Sequence, residues 1–396
     1  MARNLRIILG VTGGIAAYKT PSLIRLFQKK DVEVKVVCTN AAQTLVAQQT
    51  LCTISGHTVY TDDPVVALDM AHLSLAAWAD FLLVCPATAN SIAKIAHGVA
   101  DNLLTSLALS FEHRMVIAPA MNTAMWLNAA TRENIELLIR RGACVLPVEE
   151  GDLACGDAGP GRLLSLETIV DFMLSLNSVK RLAHKKILIS SGPTREPIDA
   201  VRFISNRSSG KMGAALARAA WIAGGRVTVV SGPAATPLPG EVRVINVSTA
   251  GEMLFAMEKE FAEADICIMA AAVSDFKTAQ PFAGKMHRGA EAALNLELVA
   301  NPDIAALLGE RKKNQFLVCF SLETDDDETR VLEKMNRKRC DMMVVNRADV
   351  SLDSDATQLR IMYPGAPTER LLPQSKKEAA TDIIERIAAR MDVIRG

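Results

Sequence analysis

Short apolar runs alternate with longer stretches of helical spacing along this chain, and that alternation restricts its fold more than any other feature. The runs are RIILG (6–10), VEVKVVC (32–38), FLLVC (81–85) and MVIAPA (115–120), then KILIS (186–190), RVTVVSG (226–232), DICIMAAAV (265–273), FLVCFS (316–321) and DMMVVN (341–346). Between them, as over 15–29 and 212–223, apolar residues recur every three or four positions. Such a pattern predicts βαβ units and parallel sheets. It restarts near residue 186, where KKILISSGPT repeats the logic of LRIILGVTGG: a strand, a glycine turn, then a helix. The stretch SLNSVKRLAHKK just before it is polar and basic, which places a linker at about 176–185. The expected fold is α/β, with two open, mainly parallel-sheet domains of the Rossmann or flavodoxin kind over 1–180 and 186–396. Each would bind its ligand at the C-terminal ends of its strands.

Lys plus Arg and Asp plus Glu both count 44, so the net charge is zero and nucleic acid is not an expected partner. The eight cysteines include no C-x-x-C pair, and several lie inside apolar runs, which reads as buried free thiols of a reducing compartment. No apolar run approaches the length of a membrane span and no signal-peptide pattern opens the chain. A cytoplasmic protein without a membrane partner is expected.

The first strand runs directly into GVTGGIAAYKT, where Thr12, Gly13 and Gly14 put a hydroxyl and exposed N–H groups at a helix start. That suits a phosphate, although an ordinary tight βα turn has the same composition. The next strand ends at Thr39 in VVCTNAA, the third in PATAN with Ala87, Thr88 and Asn90, and a fourth in APAMN with Asn122. Four strand ends with small, hydroxyl and amide residues form a crevice for a flat, phosphorylated ligand. His72, in DMAHLSLAAWAD, taken alone reads as a packed histidine. Cys155 lies in LACGDAGPGRLL, among Gly151, Gly156, Gly159, Pro160 and Gly161, where no regular helix or central strand can form.

GVTGGIAAYK, AHLSLAAWAD, PATANSIAK, PAMN and ACGDAGPGRLL occur in this order. Together they resemble the FMN-dependent cysteine decarboxylases, and the flavin half of the bacterial bifunctional coenzyme A biosynthesis proteins, which pair phosphopantothenoylcysteine decarboxylase with phosphopantothenate–cysteine ligase. The resemblance implies FMN in the crevice and a catalytic set of His72, Asn122 and Cys155. Thr12, Gly13, Gly14, Thr39, Ala87, Thr88 and Asn90 would hold the flavin. Oxidising the thiol-bearing carbon of the substrate to a thioaldehyde gives the departing carboxylate an electron sink. The ene-thiol left after CO₂ departs must then be reduced and protonated. Cys155 is similar to the cysteine that supplies this proton, from a glycine-rich loop able to close over substrate and exclude water. Asn122 would hold the substrate carboxylate, and His72 would orient substrate or assist proton movement. Arg162, in the same loop, could reach a carboxylate or phosphate or form a surface ion pair.

In the second half, SSGK is not a Walker A loop: the first glycine is missing and Met212 stands where a Ser or Thr would bind Mg²⁺. The Gly- and Ser-rich turn near 210 still suits an anion. FISNRSSG, MAAAVSDF, GKMHRG, VANPDI, CFSLET and EKMNRKRCDMMVVN, in order over roughly 186–390, resemble the ligase half of the same family. This implies CTP as co-substrate, activation of 4′-phosphopantothenate as an acyl-cytidylate with release of pyrophosphate, and attack by the cysteine amine. Asn206 would stabilise the acyl-cytidylate step and Lys285 the charge on the nucleotide phosphates. Asp275 would lie on the cytidine side, with Ala271, Ala272 and Val273 against the nucleotide and Phe320 lining the base pocket. Lys334 and Lys338, four apart, would share a helix face toward the triphosphate, although spacing alone reads as a solvated face. Mg²⁺ is expected on the triphosphate, held mostly by phosphate oxygens and water.

The chain departs from the family where KMHR (285–288) replaces Lys-Ile-Lys-Lys, and where Arg339 and Cys340 replace Asn and Leu. ETDDDET (323–329) reads as a solvated loop or helix start rather than a metal site. The resemblance further implies a homo-oligomer, with trimers of the flavin half that build dodecamers in the family, FMN at subunit contacts, and dimers of the ligase half. A flavin-binding scaffold without turnover would be expected to lack Cys155 or the amide of PAMN. A decarboxylase of peptide C-terminal cysteines would have no use for a ligase half.

Overall fold

The computed structural model describes residues 4–62, 70–152, 158–239, 242–286, 295–323, 327–347 and 356–395. Cys155 and His287 lie outside them. The chain forms two compact units, Met1–Asn177 and Ser178–Gly396.

The first unit runs β1 (Arg6–Val11), a 3₁₀ turn (Ile15–Lys19), α1 (Thr20–Gln28), β2 (Glu33–Cys38), α2 (Asn40–Gln43), α3 (Gln48–Ser55), β3 (Val59–Tyr60), α4 (Ala71–Trp78), β4 (Phe81–Ala87), α5 (Ala89–His97), α6 (Leu103–Ser110), β5 (Arg114–Pro119), α7 (Thr123–Leu127), α8 (Ala129–Arg140), β6 (Cys144–Val145), β7 (Glu149–Asp152), β8 (Ala158–Arg162) and α9 (Leu166–Asn177). Its parallel sheet has the order β3-β2-β1-β4-β5-β6, with Ile7 level with Val34 on one side and Phe81 on the other. β4 is buried along its whole length, as its unbroken apolar sequence requires between two helical layers. One face packs Leu23, Ile24 and Phe27 of α1 with Ile169 and Met173 of α9; the other packs Leu75, Ile92, Leu104 and Leu138.

The helical stretch expected over 15–29 is split at its start. Pro21 has no N–H to give the Ala17 carbonyl, and the Thr20 hydroxyl donates to that carbonyl instead, at 2.7 Å. The chain takes a tight 3₁₀ turn and becomes α-helical only from Thr20.

The second unit runs β9 (Lys186–Ser191), β10 (Arg195–Pro197), β11 (Phe203–Ser205), α10 (Lys211–Ile222), β12 (Arg226–Ser231), β13 (Arg243–Asn246), α11 (Ala250–Phe261), β14 (Ile266–Met269), β15 (Phe276–Thr278), β16 (Leu298–Ala300), α12 (Ile304–Arg311), β17 (Phe316–Glu323), α13 (Glu328–Arg337), β18 (Met342–Arg347), β19 (Ala356–Thr357), β20 (Leu359–Met362), β21 (Glu369–Arg370), β22 (Gln374–Ser375) and α14 (Lys376–Arg395). Its sheet has the order β13-β12-β9-β14-β17-β18-β20-β21, and only its last two pairings, β18/β20 and β20/β21, are antiparallel. Both sheets therefore reverse direction of growth at their first strand, in the Rossmann order 3-2-1-4-5-6 rather than the flavodoxin order. The α/β expectation holds in both units. The paired short strands β10/β11 and β15/β16 stand apart from the main sheet.

Candidate functional sites

In an open α/β sheet the strand ends part at the reversal point, and there each unit has a crevice. In the first unit it lies between β1 and β4. Thr12 is fully buried; its hydroxyl donates to the Pro86 carbonyl at 2.6 Å and accepts from the Thr88 N–H at 3.0 Å. These bonds lock the first turn to the end of β4. Thr88 caps α5, its hydroxyl accepting from the Ser91 N–H, and Thr39 caps α2 through Ala42. Gly13 is required by close approach, since a Cβ there would come within 2.4 Å of the Ala41 methyl. At Gly14 a Cβ would meet the Thr88 methyl at 3.3 Å.

Around this point lies a cavity of about 620 Å³. Gly13, Gly14 and Thr88 form one wall; Ala120, Met121, Asn122 and Met125 form another; Gly161, Arg162 and Leu163 cross its mouth. The Met121 N–H donates to the Gly161 carbonyl at 2.9 Å, and a Cβ at Gly161 (φ +141°) would lie 2.3 Å from the Met121 carbonyl oxygen. β7 and β8, which flank residues 153–157 in the chain, pair antiparallel. The Asn122 side-chain oxygen caps α7 by accepting from the Ala124 N–H at 2.8 Å, which fixes the plane of its amide. Lys19 and Arg162 line the cavity with no acidic residue among its described lining, so it suits an anion. Arg162 is 3.9 Å from Glu149, a loose ion pair. Ile15, Tyr18, Met121 and Met125 give it an apolar side wide enough for a flat ring.

Of the residues expected here, Gly13, Gly14, Thr88 and Asn122 line the cavity. Thr12 and Ala87 support it from beneath, with Ala87 accepting from the Ala120 N–H. Asn90 faces outward from the first turn of α5, Thr39 stands at the neighbouring turn, and His72, half-buried in α4, is not part of the lining within one chain. Lys19 and Tyr18 were missed by sequence reasoning; AAYK directly after the glycine turn was the available signal. The cysteines remaining in the described core are poor nucleophiles, burial pushing the Cys38 and Cys85 thiols up to about 12.

In the second unit a smaller cavity, about 180 Å³, lies at the corresponding reversal point. Ser208, Ser209, Gly210 and Lys211 open α10 into it, Ala270–Ala272 follow β14, and Phe320, Ser321, Asn346 and Lys376 close it. Gly210 caps α10 in the left-handed region (φ 74°), and a Cβ at Gly213 would fall 2.1 Å from the Ser191 hydroxyl, so the helix start is drawn tight onto β9. Asn206 donates its amide to the Val273 carbonyl at 2.8 Å. Asp275 is exposed, and its carbonyl accepts from the Asn301 N–H. Asn301, in the VANPDI segment, donates its amide to the Ser274 carbonyl at 2.9 Å, while its buried side-chain oxygen has no partner among the described residues. The VANPDI motif marked this segment but not the unused acceptor within it.

Thus Ala271, Ala272 and Phe320 line this cavity, and Val273 and Asn206 adjoin it. Lys334 reaches its edge: Nζ lies 3.5 Å from the Ser321 hydroxyl and 2.5 Å from Oε1 of the buried Glu323. Burial works to raise the Glu323 pKa, but hydrogen bonds from Lys334 and Ser321 outweigh it and hold the carboxyl below its ordinary value. Lys338 pairs with Asp303 at 3.5 Å. Lys285 is exposed and is not among the lining residues. The ETDDDET segment contains a helix start, with Asp327 capping α13, but its first residue is the buried Glu323 at the end of β17.

Residues 1–178 match a family model described as flavoprotein, and 182–391 match the DNA/pantothenate metabolism flavoprotein C-terminal domain. The chain is 39% identical over 394 residues to the coenzyme A biosynthesis bifunctional protein CoaBC of Vibrio vulnificus, covering 98% of both chains. It is 38% identical to that of Escherichia coli over 399 residues (98% and 97% covered) and 38% to that of Bacillus subtilis over 401 (98% of both). Among solved structures, the C-terminal domain of a CoaBC is 33% identical with a TM-score of 0.47, covering 54% of this chain and 98% of that one. A PPC decarboxylase mutant complexed with pantothenoylaminoethenethiol is 32% identical with a TM-score of 0.41, covering 44% of this chain and all of that one.

Proposed function

The chain belongs to the coenzyme A biosynthesis bifunctional protein family, and from that premise we propose how its residues divide the family's two reactions. It is a bifunctional enzyme, a decarboxylase and a ligase of coenzyme A biosynthesis. In the proposed division, 1–180 decarboxylates phosphopantothenoylcysteine with FMN, and 186–396 makes that substrate from 4′-phosphopantothenate, cysteine and CTP. The observation carrying this division is a separate crevice at the reversal point of each sheet, each beside an oriented asparagine amide, Asn122 and Asn206.

The first crevice fits FMN: a glycine cradle without room for side chains, two capped helix starts, two cations and an apolar wall. Bound FMN supplies a two-electron sink for the substrate carbon bearing sulfur. Thr12, Gly13, Gly14 and Thr88 hold it from the strand ends, assisted by Thr39, Ala87 and Asn90. Asn122, its oxygen engaged as a cap, directs N–H toward the substrate carboxylate and orients it for loss as CO₂. Cys155 delivers a proton to the substrate carbon as reduction is completed. His72 assists orientation or proton movement, and its place outside the cavity of its own chain supports its acting on a neighbouring copy in a trimer-based homo-oligomer.

In the second crevice, a carboxylate becomes an electrophile only after activation. Ala271, Ala272 and Val273 admit the nucleotide close to the backbone, and Phe320 lines the base. Asp275 lies on the cytidine side. Asn206 stabilises the acyl-cytidylate step. Lys285, Lys334 and Lys338 meet the phosphates together with Mg²⁺, held by phosphate oxygens and water. To do so Lys334 turns from Glu323 and Lys338 from Asp303.

The nucleotide assignment is tested by pyrophosphate release from the purified protein with 4′-phosphopantothenate, cysteine, Mg²⁺ and CTP, ATP or UTP. Release with CTP in preference to UTP is expected. Equal rates with both pyrimidines would contradict the placing of Asp275 at the base.

A further inference from the structure

A carboxylate buried outside the lining of either cavity needs a reason, because removing an ionised group from water is costly unless every oxygen is satisfied. Asp199 is such a group: its side chain has no exposure to solvent. It sits in the turn joining β10 to β11, closed by the Ile198 N–H donating to the Arg202 carbonyl at 2.9 Å. Oδ1 accepts from the N–H groups of Val201 and Arg202 at 2.7 and 2.6 Å. Oδ2 accepts from the Arg202 guanidinium at 2.9 Å and from the Met286 N–H at 3.1 Å. The Arg202 and Val201 amides hold its pKa below the ordinary carboxyl value, so it stays ionised.

The Phe282 N–H donates to the Ile198 carbonyl, and three further long-range bonds of this turn flank one residue, Lys285. The Met286 N–H reaches Asp199 on one side of Lys285. On the other, the Gly284 carbonyl accepts from the Ala200 N–H at 3.1 Å. The Arg202 guanidinium also donates to the Met286 carbonyl at 3.3 Å. Lys285 itself is exposed and has no carboxylate partner among the described residues. Its backbone is clamped while its ammonium is left to solvent, the arrangement expected of a cation held ready for a ligand. β11 leads from the same turn directly into Asn206, whose amide is bound to Val273.

We propose that Asp199 is a positioning residue for the ligase reaction: it holds the Met286 side of Lys285 directly and orders the turn whose Ala200 N–H holds the Gly284 side, so that the Lys285 ammonium meets the nucleotide phosphates. The proposal rests on the reading of Lys285 as the phosphate-binding lysine. Asp199→Asn keeps the size and the Oδ1 contacts but turns an amide N–H₂ toward the Met286 N–H and the guanidinium, where only an acceptor fits.

The test uses the full chain with Asp199→Asn, Lys285→Ala and both together. Pyrophosphate release is measured against CTP concentration, and decarboxylation of supplied phosphopantothenoylcysteine is the internal control. Asp199→Asn is expected to lower ligase kcat/KM for CTP about tenfold or more, since small misplacements of a catalytic group are costly. Decarboxylation should stay within about twofold, and the double variant should be no worse than Lys285→Ala, as groups acting through one contact are not additive. Unchanged ligation in Asp199→Asn, or losses that multiply in the double variant, would overturn the positioning role while leaving Lys285 in place. Unchanged ligation in Lys285→Ala would overturn the reading of the lysine, and the proposal with it. Should Asp199→Asn fail to fold, Met286→Pro removes the N–H that reaches Asp199 and gives the same readout.

Discussion

Asn122 and Asn206 each have one half of the side-chain amide fixed by the backbone, and opposite halves. Asn122 gives its oxygen to the cap of α7, whereas Asn206 gives its N–H to the Val273 carbonyl. In the proposed roles the first donates to a carboxylate and the second offers an oxygen. Asn122→Asp separates cap from donor, because aspartate caps as well as asparagine but repels a substrate carboxylate. Decarboxylation should fall about a hundredfold or more with little change in unfolding temperature or flavin content; an active Asn122→Asp would remove Asn122 from the proposed set. Glu323 makes a second residue-scale prediction. Its folded pKa lies below the ordinary carboxyl value, so its contribution to stability is present above that value and is lost as pH falls through the folded pKa. Glu323→Gln should flatten acid destabilisation of the second unit below about pH 5, measured as unfolding midpoint against pH. An unchanged pH dependence would contradict the ion pair with Lys334. Neither bond was legible in sequence: PAMN shows an amide at a strand tip but not which end is spent, and ETDDDET gives no hint that its first glutamate is buried.

At the scale of elements, the long strands and the glycine turns were readable because their residues have no alternative use. An unbroken run such as FLLVC fits only a strand covered on both faces, and Gly13 is forced by the methyl of Ala41. Hidden from the sequence were elements too short for a period. β10, β11, β15 and β16 span three residues each, yet they carry the turn that clamps Lys285. The helix start at Thr88 gives a test of the flavin cradle. Thr88→Val removes the cap of α5 at a cost of about 1 kcal/mol and leaves the N–H that reaches Thr12. Reduced flavin retention on dialysis is expected, with ligation unchanged; full retention would show that the cradle does not depend on the Thr88 hydroxyl.

For the whole molecule, two units with separate cores and separate crevices predict separable losses. Cys155→Ser should halt the flavin half after CO₂ loss and before reduction is complete, leaving pyrophosphate release by the ligase half intact. Loss of both activities in a folded Cys155→Ser protein would contradict that independence. In the proposed division the order of use runs against the chain, the second unit making what the first consumes. The most direct measurement is a mass-resolved reaction of the purified protein with 4′-phosphopantothenate, cysteine, Mg²⁺ and either CTP or ATP. The account predicts 4′-phosphopantetheine, CO₂ and pyrophosphate with CTP. An accumulation that stops at 4′-phosphopantothenoylcysteine would contradict the assignment of the flavin half, and no acyl product with either nucleotide would contradict that of the ligase half.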